Sequence, residues 1–199
     1  VRHSSGRFEG ATLDEALTAA CEGLTARLGE IRYEVVEEND DGVTVDASLD
    51  PVAIVGLFLS ETFRAGSLEM SVRLSDAAEA LAGELEGEDV RWLTAQGGRG
   101  LDALQYLSNR VLNRRMSEHP PVHLDADGFK NRRAERLQDQ AEEAADEAVR
   151  TGRPVVLGPL TPAARRDIHL ALADDPSVET ESDGEGFLKR LVVRPARRR

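Results

Sequence analysis

A single cysteine, Cys21, occurs in the 199 residues, so no disulfide framework can form and a reducing, cytoplasmic setting is expected. It lies among Leu17, Ala20 and Leu24 at helical spacing, where a buried thiol is the plain reading. No run approaches the roughly 18 consecutive apolar residues of a membrane span, and the opening VRHSSGRFEG lacks the apolar centre of an export signal. Lysine occurs only at 130 and 189, so cationic chemistry falls to arginine. No Walker lysine follows the glycine-rich GGRG at Gly97 to Gly100, which removes support for nucleotide hydrolysis. His119 and His123 are separated by Pro120 and Pro121, so they cannot share a helical face as metal ligands. Asp174, Asp175 and the acidic residues from Glu179 to Glu185 lack the spacing of a calcium loop. We therefore expect no metal, no cofactor and no catalytic residues. Aromatic residues make up only 4%; Trp92 and Tyr106 can stack on bases, but Trp92 is expected to plug a small core.

Acid is present in excess, and its placement is uneven. The formal net charge is -12, yet the first 90 residues alone carry 6 basic and 20 acidic side chains. Residues 91 to 128 and 129 to 199 are each +1. An acidic isoelectric point therefore does not exclude nucleic acid from the second half, while the first 90 residues suit contacts with protein.

The hydrophobic pattern predicts an α+β chain of three small domains, at 1–50, 51–128 and 129–199. In the first, a strand at Phe8 leads to a helix over 12–28 and a pair of strands, IRYEVVEE and DGVTVDAS, turning at Asn39 to Gly42. Pro51 opens an apolar helix ending near Gly66. Strands over 68–74 and 80–85 follow, then one or two helical turns, the glycine-rich loop, a helix over 101–116 and the strand PPVHLDAD. The third domain pairs two helices, over 129–151 and 162–173, with strands over 154–157, 178–182 and 187–193. Its first helix has its charges reversed: Lys130, Arg132, Arg133 and Arg136 crowd the N-terminal half, against a macrodipole preference of roughly 0.3–1 kcal/mol per terminal charge. Either a ligand selects that order or Asp125 and Asp127 pair with it locally.

Two segments carry a binding signature. Thr161 is a good N-cap and Pro162 suits the first helical position, so Arg165 and His169 fall one turn apart on a ridge beside the core stripe of Ala164, Ile168 and Leu172. Arginine offers a planar fork of donors to a phosphate, and histidine can donate to it or stack on a base. Arg166 adds a second cation. The helix, Gly97 to Gly100 loop and second helix form the other segment, since glycines let a backbone approach a sugar-phosphate chain closely.

LDALQYLSNRVLNR, followed by VVLGPLTPAARRDIHLALADDPSVETESDGEG, resembles the bacterial Jag family, also called KhpB, EloR or SpoIIIJ-associated. That family joins an N-terminal Jag module to a KH and an R-3-H domain. FEGATLDEALTAACEGL also resembles its N-terminal module, without that module's glycine-rich end. The resemblance implies a type II KH-like domain over 51–128 and an R-3-H domain with a three-stranded sheet and two helices over 129–199. It implies single-stranded RNA, or single-stranded DNA, as ligand. It also implies a small stand-alone KH-domain protein as partner and a link to cell elongation or membrane-protein insertion. Site residues expected on this basis are Arg165, Arg166, His169, Lys130, Arg132, Arg133, Arg136, Gly97, Gly98, Arg99 and Gly100, with the tail Arg197 to Arg199 as a further phosphate contact.

One departure stands out. The family reads Leu-Ile-Gly-basic-basic-Gly, then two residues before Leu-Asp-Ala-Leu; counting back from Leu101 places Ala95, Gln96, Gly97 and Gly98 at the tetrapeptide. Either the loop has shifted so that Gly97 to Gly100 clamps with Arg99 as the cation, or the clamp is weakened. A non-binding alternative is an adaptor whose KH-like unit mediates homodimerisation or docking; a nuclease using His169 as acid and base has no second group to support it.

Overall fold

The computed structural model describes residues 4–77 and 79–196. They form two compact units, divided between Phe129 and Lys130.

The first unit contains two three-stranded sheets. Strands β1 (Ser5–Gly10), β2 (Ile31–Asn39) and β3 (Gly42–Leu49) pair antiparallel in the order β1-β3-β2. Helix α1 (Leu13–Leu24) lies against β1 and β3 and buries Ala16, Leu17, Ala20 and Leu24, while Cys21 is half-buried. It stops four residues short of the expected end. Thr25 turns left-handed at φ 51°, and residues 28–30 form a tight turn in which the Glu30 carboxylate accepts the Arg27 N–H at 2.8 Å.

Helix α2 (Pro51–Ala65) begins at Asp50, whose carboxylate accepts the Val52 N–H at 2.9 Å. Strands β4 (Met70–Ala77) and β5 (Ala80–Gly87) run antiparallel. Helix α3 (Val90–Arg115) follows, and β6 (Val122–Asp125) then joins β5 in parallel. With α3 interrupted at its first third, the succession is helix, strand, strand, helix, helix, strand, as expected for the KH-like region. The segments on either side of Asp50 share one continuous core that includes Val45, Leu49, Ile54, Leu59, Leu81, Leu101 and Leu124. Arg115, at the far end of α3, adds a tie: its guanidinium pairs with the Glu30 carboxylate at 3.2 Å and donates to the Thr25 carbonyl.

The second unit takes helix α4 (Phe129–Thr151) from Lys130 onward, with β7 (Val155–Leu160), α5 (Pro162–Ala171), β8 (Val178–Asp183) and β9 (Lys189–Pro195). The sheet order is β7-β9-β8, all antiparallel. Leu137, Ala141, Ala144, Ala145 and Ala148 recur at helical spacing on α4, and their small side chains pack into one core with Ile168 and Leu172 of α5 and Val178, Leu191 and Val193 of the sheet. A bulge between Leu157 and Leu160 shifts the β7 register by one residue, so that Leu160 faces Lys189.

Candidate nucleic-acid interface

Helix α5 is set by its first three residues. The Thr161 hydroxyl accepts the Ala164 N–H at 3.3 Å, Pro162 occupies the first turn, and Ile168 is fully buried beneath. That anchoring fixes which way Arg165 and His169 point. Arg165 donates from Nη1 to the Leu160 carbonyl at 3.3 Å, so the residue just past the β7 bulge holds it. Its Nε is sealed from solvent with no hydrogen-bond partner. Of five N–H donors, one is spent on the chain and the sealed Nε–H is out of reach, so three on the Nη atoms are left for an incoming acceptor.

His169 Nδ1 shares a hydrogen bond with Thr180 Oγ1, and its Nε2 lies 3.4 Å from Ser182 Oγ. Both hydroxyls come from β8, and nothing in the charge or helix pattern singled them out. The signal was the period of two in VETESD, which sends Val178, Thr180 and Ser182 to one face and Glu179, Glu181 and Asp183 to the other. Glu181 pairs with Arg194 of β9 at 2.9 Å. The strand's carboxylates are thereby turned away from the imidazole. Neither Arg165 nor Arg166 forms an ion pair among the described residues, and Arg166 is exposed. Lys189, opposite Leu160 and two residues from the inward-facing Leu191, falls on the same face of the sheet as the hydroxyls.

The glycine-rich loop begins two residues ahead of GGRG. Helical geometry fails at Ala95 (ψ 159°), Gln96 (φ 51°), Gly97 (φ 76°) and Gly98 (φ 82°), which is the tetrapeptide counted back from Leu101. The loop has not moved to Gly97–Gly100. Arg99 and Gly100 already belong to the second piece of α3, with Arg99 exposed. A Cβ at Gly100 would stand 2.9 Å from Leu93 Cα, so this glycine lets the two helical pieces cross closely. Three successive left-handed residues make a loop whose amides can face an anion, but its central side chains are Gln96 and Gly97, without charge.

Other expected contacts are placed differently. Lys130, Arg132, Arg133 and Arg136 sit in the first two turns of α4, and each already takes part in an interaction within the chain, as do Asp125 and Asp127. Arg197, Arg198 and Arg199 lie outside the described residues. His119 Nδ1 is 2.8 Å from the Pro120 carbonyl. Trp92, expected in a core, is instead 65% exposed, because the crossing of the two helical pieces is filled by Leu93 and Gly100. Among the described residues no three His, Cys, Asp or Glu side chains gather into a metal-binding group, and no helix is long and apolar enough to cross a membrane.

Known proteins match both ends of this arrangement. The profile described as the R-3-H domain matches residues 135–195, and that of the Jag N-terminus matches residues 8–43. The RNA-binding protein KhpB of Clostridium symbiosum is 33% identical over 196 residues, covering 92% of this chain and 87% of the relative. The chain belongs to the Jag/KhpB family. The KhpB of Bacillus subtilis is 25% identical over 197 residues, 92% of this chain and 95% of that protein. The KhpB of Lactiplantibacillus plantarum is 37% identical over 101 residues, about half of this chain at 51% and 31% of the relative. As a KhpB-family member the chain carries an R-3-H domain that contains α5, β8 and β9, so Arg165, Arg166, His169, Thr180 and Ser182 all lie within the matched segment.

Proposed function

We propose that this chain is a regulator that binds single-stranded RNA without altering it chemically, and that the face shared by α5 and β8 is the principal contact. What carries the reading is the company kept by His169: two hydroxyls and Arg165 on one side of the sheet, with the β8 carboxylates on the other. Phosphate oxygens would take the free donors of Arg165 and Arg166, and the imidazole would donate or stack. The relatives named RNA-binding protein KhpB support the ligand class. Single-stranded DNA is the nearest competitor, and the family likeness suggests a cytoplasmic setting, a stand-alone KH-domain protein as partner and a place near the cell-elongation or membrane-insertion machinery.

On this reading the three modules divide the work. The acidic segment 1–50 meets protein, the segment 51–128 contributes a second RNA contact, and 129–199 supplies the principal one. Two weak contacts on one chain gain mainly through effective concentration. The α4 cations rank below Arg165 and Arg166 because each of them is already engaged. A second reading, the adaptor, is favoured by Tyr106 and Leu107, both about half or more exposed on α3, with Leu107 next to Phe58 and Val111.

Titration of end-labelled single-stranded RNA with the wild type and an Arg165→Ala/His169→Ala variant, at two salt concentrations, tests the proposal. The variant is expected to bind weakly and with a flatter salt dependence. Equal affinities would remove α5 from the interface, and sedimentation showing a homodimer through α3 with no RNA bound would favour the adaptor.

A further inference from the structure

Trp92 is the only tryptophan in the chain, and it stands three residues before the loop with most of its ring in solvent. Its position is not loose. Nε1 donates to Asp89 Oδ1 at 3.1 Å, and the other oxygen of the same carboxylate accepts the Glu69 N–H at 2.9 Å. The Arg91 guanidinium lies over the ring, 5.7 Å from its centroid, and reaches the Asp89 carboxylate at 3.8 Å. The indole is thus held by its polar edge and backed by a cation, with most of its surface in solvent.

We infer that Trp92 is a stacking platform for a nucleobase, so that the loop-bearing unit grips single-stranded RNA through a ring where its loop lacks charge. The inference rests on the proposal that the chain binds RNA. An exposed indole pays no ordering cost on binding when its hydrogen bond and its rear face are already made, and an aromatic face accepts any base. The surroundings select a base over an apolar peptide. Arg91 stands over the ring, Arg99 is exposed just past the loop, and the left-handed backbone of Gln96 to Gly98 lies between them in sequence, while the Asp89 carboxylate is taken up by the indole N–H, the Glu69 N–H and Arg91. Such a rim suits the phosphates on either side of a stacked base and offers an apolar side chain nothing to bury against.

Because Trp92 is unique, the intrinsic fluorescence of the full chain reports this one site. The probe is an oligouridylate, with an abasic strand of equal length supplying the same phosphates without bases; binding of both is followed independently by anisotropy of an end label. We expect the oligouridylate to quench the emission with the midpoint seen by anisotropy, and the bound abasic strand to leave it unchanged. Trp92→Ala is expected to weaken RNA binding by about tenfold and Trp92→Phe by less, since phenylalanine keeps a face to stack on. Anisotropy that reports RNA binding while the emission stays constant, quenching by the abasic strand alike, or wild-type affinity in Trp92→Ala would each overturn the stacking role and leave the α5 contact standing. No change in anisotropy at any protein concentration would overturn RNA binding itself, and the inference with it.

Discussion

The loop at Ala95 to Gly98 and the ridge of α5 differ in what each would offer an anionic strand. At the loop there is backbone shape without charge: three consecutive residues are left-handed, but the side chains there are neutral. At α5 charged and polar side chains come together, with hydroxyls that hold His169 and a carbonyl that holds Arg165. Shape without charge can still admit a backbone, yet it forgoes the counterion release that drives most nonspecific affinity. The two regions therefore should not contribute equally, and the second should dominate.

Three substitutions break or sharpen that inequality. Removing Arg165 and His169 together should cost about fiftyfold in RNA affinity at moderate salt, the scale expected when two charge-assisted contacts are lost, as read by anisotropy. Gly100→Val should leave the α5 contact intact but destabilise the first unit by about 2 kcal/mol, because the added carbons collide with Leu93 backbone at a crossing that cannot open, and urea denaturation would show it. Gln96→Lys should sharpen the comparison by returning charge to the loop. Gln96 already sits at φ 51° as a non-glycine residue, so the swap adds no new backbone strain. It should raise affinity by about threefold at low salt and steepen the salt slope by about 0.7.

The smallest effect concerns stability alone. Burial pushes the Glu30 carboxyl upward, but the hydrogen bonds and charge of Arg115, with the Arg27 N–H and charge, outweigh it and leave the group below its ordinary range. A carboxyl whose folded pKa is lowered stabilises the fold above its unfolded value of about 4.3, and the contribution fades as pH drops through the folded value. Glu30→Gln should therefore melt lower than the wild type at neutral pH, and the gap should close in acid. A gap that stays constant with pH would show that the Arg115 pair does not stabilise the first unit.

Much of the α5 site was legible because its determinants are local. Thr161, Pro162 and the four-residue spacing of Ala164, Ile168 and Leu172 fix both the helix and the direction of Arg165 and His169. Thr180 and Ser182 were not seen, since in VETESD the acidic residues dominate the charge count while alternation, not composition, decides which face each takes. Of the two placements that the sequence left open for the loop, the helix breaks at the one counted back from Leu101, Ala95 to Gly98, and Gly100 answers to packing against Leu93. The end of α1 was overrun because Arg27 to Glu30 keeps helix-compatible residues while Thr25 has already turned left-handed. Trp92 was misplaced by the prior that a rare aromatic belongs inside, and only the three-dimensional crossing of the α3 pieces shows that the space is taken. The reversed charges of α4 read as a surface signal, yet each of those cations already takes part in an interaction within the chain.

The continuous core of the first unit bears on how the molecule comes apart. Severing the chain between Asp50 and Pro51 would strip α2 of its capping carboxylate and leave Val45 and Leu49 on one fragment, Ile54 and Leu59 on the other, each facing water with an apolar surface made for its lost neighbour. Heat should accordingly dissolve the acidic strands and the loop-bearing helix in a single cooperative step, so a partner that clamps the N-terminal sheet would raise the melting temperature of Trp92's surroundings without touching them.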